Sequence, residues 1–197
     1  MKKISIINYG MGNTRSLQAS ISHFGFKSVI TSERKKIENS DVIILPGVGA
    51  FPKAMQLLKK KKLDSLIKKK FKDGTDIIGI CLGMQLLFES SNEIKRTKGI
   101  GIIPGFVDGL KMGFNIGWKK IEINNSNYLG KSFKSEKYYF IHSYKCIPKS
   151  QKYVTSLSNF KGEIFCSSVN YKNAHGFQFH PEKSGEKGLK IIENILK

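Results

Sequence analysis

The sequence predicts an α/β protein, one domain over residues 1–197, with a central mixed and largely parallel sheet flanked by helices and carrying a nucleophile elbow. Three observations predict it. The first half alternates short apolar runs with segments of helical periodicity, the pattern of a parallel sheet covered on both faces. One apolar run ends in Gly79-Ile80-Cys81-Leu82-Gly83, a strand, a sharp turn and a helix start. A later one ends in Phe177-Gln178-Phe179-His180-Pro181-Glu182, a strand that delivers a histidine and a carboxylate.

Taken in order, Ile4–Asn8 reads as the first parallel strand and Gly10-Met11-Gly12-Asn13 as its turn. Thr14–Phe24 places Leu17, Ile21 and Phe24 at helical spacing. Val29–Thr31 is a short strand, and Asp41–Leu45 is a continuous apolar strand stopped by Pro46-Gly47. A helix starts near Phe51, and lysine-rich helical sequence runs to Phe71 with a break near Lys60–Lys62. Asp76–Ile80 is the strand into the elbow, and Leu82–Glu89 the helix out of it. After Gly99 the pattern changes. Phe106–Lys111, Trp118–Ile123, Tyr138–Tyr144, Tyr153–Leu157, Glu163–Val169 and Ala174–His180 read as antiparallel or mixed strands joined by Asn-, Ser- and Gly-rich turns. Ser184–Leu196 is a closing helix. Ligands of open α/β sheets bind beyond the carboxyl ends of the strands, and Cys81 and His180 both fall at such ends.

Composition removes several function classes. No stretch approaches 18 apolar residues, so no membrane span is expected. The start, Met1-Lys2-Lys3 before a short strand, lacks the apolar run of a signal peptide. The three cysteines, Cys81, Cys146 and Cys166, have no metal-like spacing and fit reduced thiols in a cytoplasmic protein without metal or cofactor. The formal charge of +19 invites a nucleic-acid reading. Lysine outnumbers arginine 31 to 3, however, and base readout and bidentate phosphate clamps favour arginine. The lysine runs 59–62 and 68–70 read as solvated helix faces, and no nucleic-acid partner is expected.

The chemistry of Cys81, His180 and Glu182 is that of an amide hydrolase. A thiol is mostly protonated at neutral pH and needs a nearby base or helix N-terminus to act as nucleophile. A lone cysteine in a core strand is ordinarily an inert small hydrophobe. Here flanking Gly79 and Gly83 give the cysteine form of the nucleophile elbow, where small residues allow a strained turn to project the side chain. The N–H of Leu82 then points to where an oxyanion develops. His180 can take the thiol proton and pass it to a leaving amine, and Glu182 can fix the imidazole tautomer. Gln85, one helical turn beyond Cys81 on the same face, can hold a substrate's α-amino or α-carboxylate group.

Gly-Ile-Cys-Leu-Gly-Met-Gln at 79–85, Pro-Gly-Val-Gly-Ala-Phe at 46–51 and His-Pro-Glu-Lys-Ser-Gly at 180–185 resemble the class I (triad) glutamine amidotransferases over essentially the whole chain. Within them the chain is most similar to the glutaminase subunits of imidazole glycerol phosphate synthase, of histidine biosynthesis. The resemblance implies L-glutamine as substrate and a HisF-like (β/α)8 cyclase subunit as heterodimer partner, which receives the ammonia through its barrel. It makes Pro46–Gly49 the oxyanion strand, with Val48 or Gly49 supplying a second donor beside Leu82, and a peptide flip that keeps the lone subunit nearly silent. Gly47, Gln85, Glu93, His142, Ser143 and Tyr144 become the glutamine-binding set, with Glu93 the ammonium-binding acid. Asn13 and Lys183 fall on the docking side.

One segment departs from that pattern. Where the family often carries His-Met-Gly-Trp-Asn, this chain has Asn115-Ile116-Gly117-Trp118-Lys119, with Met112-Gly113-Phe114-Asn115 a rival alignment. The triad is untouched, but two further readings stay open. One is a paralogous glutaminase feeding a sugar amidotransferase in surface-polysaccharide synthesis. The other is a catalytically idle scaffold of the same fold.

Overall fold

The computed structural model describes residues 2–124 and 133–197. Its strands are β1 (Ile4–Ile7), β2 (Ser28–Thr31), β3 (Val42–Leu45), β4 (Asp76–Ile80), β5 (Phe88–Ser91), β6 (Thr97–Lys98), β7 (Ile103–Gly109), β8 (Asn115–Ile123), β9 (Lys137–His142), β10 (Tyr144–Pro148), β11 (Val154–Phe160), β12 (Glu163–Tyr171) and β13 (Ala174–Phe177). Its helices are α1 (Thr14–His23), α2 (Arg34–Glu38), α3 (Phe51–Lys60), α4 (Leu63–Lys72), α5 (Leu82–Leu86) and α6 (Gly185–Leu196). The sheet is mixed. Strands β2, β1, β3, β4 and β13 lie side by side in parallel, and β12, β11, β8 and β9 extend the sheet antiparallel.

The inner parallel strands β1, β3, β4 and β13 are buried on both faces, and the alternation along β1, β3 and β4 sorts side chains into two cores. Ile4, Ile6, Val42, Ile44, Ile78 and Ile80 pack toward α1 and α6, against Leu17, Ile21, Ile191, Ile192 and Leu196. Ile7, Ile43, Leu45 and Ile77 pack on the other side, against Phe51, Met55, Leu58, Leu66 and Ile67 of α3 and α4. A period of two thus operates inside continuous apolar runs, which is why such runs show no polar alternation. Between α3 and α4, Lys62 takes a left-handed φ of 54° and turns the chain at the expected break.

Several elements differ from expectation: β6 is an additional short strand, β7 and β8 each start three residues earlier, β13 stops at Phe177 rather than His180, and three further differences have a visible cause. The elbow helix stops at Leu86 rather than Glu89, and Phe88–Ser91 become a strand beside β7, with Phe88 fully buried. The backbone carbonyls of Leu86, Leu87 and Phe88 accept from the N–H groups of residues 100–103, so a returning loop takes the bonds that further helix would have used. The expected strand Tyr138–Tyr144 is two, parting at Ser143, whose carbonyl turns aside to accept from Leu110 N–H at 2.8 Å. Helix α2 was not expected; it buries only Ile37 and carries no periodic signal. Among the described residues no helix is long and apolar enough to cross a membrane.

Candidate active site

Strand β4 ends against β13, and Cys81 follows with φ 54° and ψ −114°, a conformation L-residues adopt only when their surroundings enforce it. The enforcement is visible. Cys81 N–H donates to Phe177 O of β13 at 2.7 Å, and Gln85 N–H to Cys81 O at 3.3 Å. Gly83 lets α5 sit on the end of β3: a Cβ there would lie 1.7 Å from Leu45 O, a backbone atom with nowhere to go. Gly83→Ala should therefore cost about 3 kcal/mol of stability or more. Chemical denaturation checks this, and an unchanged midpoint would refute the close approach.

His180 lies beyond β13. Its N–H donates to Tyr139 O at 2.9 Å, and Ser184 Oγ donates to its carbonyl at 2.6 Å. Its Nδ1 is 2.8 Å from Glu182 Oε1, and the two side chains are 2% and 4% exposed. An ionised carboxylate only accepts, so Nδ1 carries a proton and Nε2 is left toward the thiol. Nε2 makes no hydrogen bond of ordinary geometry among the described residues. Burial pushes the pKa of His180 down, but the neighbouring Cys81 sulfur and Glu182 carboxylate outweigh it and raise the pKa. The imidazolium is stabilised against any negative charge on sulfur, as a nucleophile–base pair requires.

Cys81 opens into a cavity of about 320 Å³ that Val48, Gly49, Leu82, Gln85, Glu93 and the 142–144 segment also line. Larger clefts, of about 930 and 550 Å³, lie elsewhere on the surface and are lined by neither cysteine nor histidine. Gly47 packs just behind the cavity wall: a Cβ on it would be 2.6 Å from Tyr9 Oη and 2.9 Å from Leu82 Cβ. The irregular segment 46–49, which follows β3 and is not itself a strand, therefore lies directly against the first residue of α5. Tyr9 Oη–H holds it by donating to Pro46 O at 3.0 Å, and burial, assisted by the neighbouring Cys81 side chain, raises the pKa of that phenol. Gly49 has φ +95°, where glycine is favoured.

The polar residues of the cavity have definite partners. Glu93 accepts from Phe51 N–H at 2.8 Å and caps α3 from across the chain; burial raises its pKa, offset in part by that bond. Gln85 Nε2 donates to Tyr144 O at 3.1 Å and to Gln178 Oε1 at 3.0 Å. Both its hydrogens are used, so Gln85 has its carbonyl oxygen left for a ligand, which suits an α-ammonium rather than an α-carboxylate. His142 is held on both sides, Nδ1 to Tyr144 O at 2.8 Å and Nε2 to Asn115 Nδ2 at 3.0 Å. Burial pushes its pKa down to about 4, with the Tyr144 carbonyl opposing and His180 assisting. It is neutral, and its ring supports the cavity wall rather than offering a free nitrogen.

Asn13 and Lys183 lie outside the cavity. Asn13 Oδ1 accepts from Ser16 N–H at 3.4 Å and caps α1. The ammonium of Lys183 sits 5.9 Å from the centroid of Tyr139, whose ring meets Trp118 edge-on at 6.1 Å. Sequence reasoning missed the neighbouring strip. Met112, Phe114, Ile116 and Trp118 are 46–54% exposed, and Phe114 also lines the cavity. Their period-two spacing was a readable signal of one apolar face left uncovered. Tyr9, Ile141 and Gln178 were also missed, since each acts through a contact that only the fold creates.

Residues 5–197 match the family described as Glutamine amidotransferase class-I. A Listeria innocua protein named imidazole glycerol phosphate synthase subunit HisH is 43% identical, over 98% of this chain and 94% of its own. An Aquifex aeolicus protein of the same name is 40% identical, over 96% and 94%. The fold is also that of a chain in the PurLQS structure from Thermotoga maritima, with a TM-score of 0.78 at 21% identity, over 100% of this chain and 98% of that one. With the family match spanning the elbow, the cavity and the terminal histidine, this chain belongs to the class I glutamine amidotransferases.

Proposed function

We propose that this chain is the glutaminase subunit of an imidazole glycerol phosphate synthase. The observation that carries the proposal is near-full-length identity of 43% to a subunit of that name, with Cys81 lining the cavity, His180 interacting with Cys81 and Glu182 bonded to His180. Cys81 Sγ attacks the side-chain amide carbon of L-glutamine while His180 takes the thiol proton. Leu82 N–H and an N–H from Val48 or Gly49 receive the oxyanion. His180 returns the proton to the leaving nitrogen, ammonia departs, and a γ-glutamyl thioester remains on Cys81. Water, deprotonated by His180, then releases glutamate.

Ammonia that reaches bulk water is protonated and lost as a nucleophile, so a partner must cover the site. The apolar strip Phe114, Ile116 and Trp118, continued by Tyr139 and Lys183, supports docking of a (β/α)8 cyclase subunit over the cavity mouth. Asn13 lies on an exposed turn and is a second candidate contact. The Asn115–Lys119 departure favours the paralogue that serves surface-polysaccharide synthesis, but the identity to histidine-pathway subunits outweighs one segment.

Two experiments decide. Deleting the coding sequence from its host should create a histidine requirement, relieved by the intact gene and not by a Cys81→Ala copy. Growth without histidine, with altered surface polysaccharide, would transfer the chain to the second reading. Kinetically, the isolated chain should hydrolyse glutamine about 10²–10³-fold more slowly than the complex, the loss expected when one oxyanion donor is misaimed. Full activity of the lone chain would sink the gating idea.

A further inference from the structure

Gln178 is fully buried two residues before His180 and takes no part in the proton relay. The orientation of its amide follows from its neighbours. A backbone carbonyl only accepts, so the Gln85 atom 3.1 Å from Tyr144 O is Nε2. An amide nitrogen only donates, so the Gln178 atom 3.0 Å from Gln85 Nε2 is Oε1. Gln178 Nε2 is therefore the end that faces Cys81 Sγ, at 3.9 Å. A fixed polarity runs from Tyr144 O through two side-chain amides to the sulfur. Besides His180, the sulfur also has Ile141 O at 3.7 Å, an acceptor. The thiol can donate to that carbonyl, and a thiolate can accept the amide N–H of Gln178.

We infer that Gln178 is a positioning residue for the nucleophile: locked by Gln85 and the Tyr144 carbonyl, it aims an N–H at Cys81 Sγ and holds the sulfur for attack. This rests on the reading of Cys81 as the nucleophile. Removing the donor leaves the sulfur free to follow the Ile141 carbonyl and withdraws one contact that negative sulfur gains. Replacing the amide by a carboxylate goes further, because a like charge then faces the sulfur. Of the substrate's own contacts, Glu93 and the 142–144 segment are left in place, and Gln85 keeps its bond to the Tyr144 carbonyl in both variants and an acceptor at position 178 in Gln178→Glu. The loss falls on chemistry rather than on binding.

The test uses the complex with the cyclase partner, as wild type, Gln178→Glu and Gln178→Met. Two quantities are read: the rate of iodoacetamide alkylation at Cys81, located by peptide mapping, and kcat and KM for glutamine. Both the alkylation rate and kcat should fall about tenfold or more, as for loss of a hydrogen bond to a charged group. KM should change less than about threefold, and Gln178→Glu should be the slower variant. Unchanged alkylation in both variants, or a defect confined to KM, would overturn the inference. So would loss of the folded state in both, which would make Gln178 a packing residue. Wild-type complex that hydrolyses glutamine with Cys81 unreactive would instead overturn the nucleophile reading itself, and is told apart because it needs no variant.

Discussion

Replacing Cys81 by alanine should reduce glutamine-dependent turnover by about 10⁴-fold or more, while the partner's reaction continues on added ammonium salts. Only the supply of ammonia is lost. The magnitude follows from the site's construction. Cys81 is the one thiol in the cavity, held at a strained φ of 54° by Phe177 O and the Gly79–Gly83 elbow, while Cys146 and Cys166 are buried in the core. Burial raises the pKa of both of those thiols, so neither can substitute as thiolate. Glutamate release measured with the partner present checks the prediction. Substantial release by a verified Cys81→Ala protein would remove the nucleophile assignment.

His180→Asn should cost nearly as much as Cys81→Ala, and Glu182→Gln about one to two orders of magnitude less. In the proposed mechanism His180 moves protons in both half-reactions. Glu182 fixes its tautomer through the 2.8 Å bond to Nδ1 and helps raise its pKa. A glutamine there preserves the shape but offers either a neutral acceptor or a donor where Nδ1–H needs an acceptor. The double variant Cys81→Ala, His180→Asn should be little worse than either single one, because the pair acts as a unit. Steady-state kcat for the four proteins gives the comparison. A mild defect in His180→Asn would mean that another group is the base.

Much of this was legible in the sequence, and for specific reasons. Strands β1, β3 and β4 are short, mostly apolar runs with polar or turn-forming residues beside them, and their limits fell within one residue of expectation. The elbow and the terminal histidine are local motifs whose glycines and spacing carry their own geometry. What escaped notice depends on partners distant in the chain. Leu86-Leu87-Phe88 continues the apolar character of α5, and only the loop at 100–103 tells it to become strand. His142 ends a polar strand tip, which reads as ligand-facing until Asn115 and Tyr144 O take both its nitrogens. Gln178 sits inside a motif that was quoted in full, yet its side chain gains meaning only from Gln85 and Cys81, each more than 90 residues away.

The most direct measurement of the central claim is to stop the complex during turnover of glutamine and map covalent adducts by mass spectrometry. A γ-glutamyl thioester should be found on the peptide bearing Cys81 and on neither of those bearing Cys146 or Cys166. It should accumulate when water attack is slowed and vanish in Cys81→Ala. An adduct on another residue, or steady glutamate release with Cys81 never modified, would contradict it.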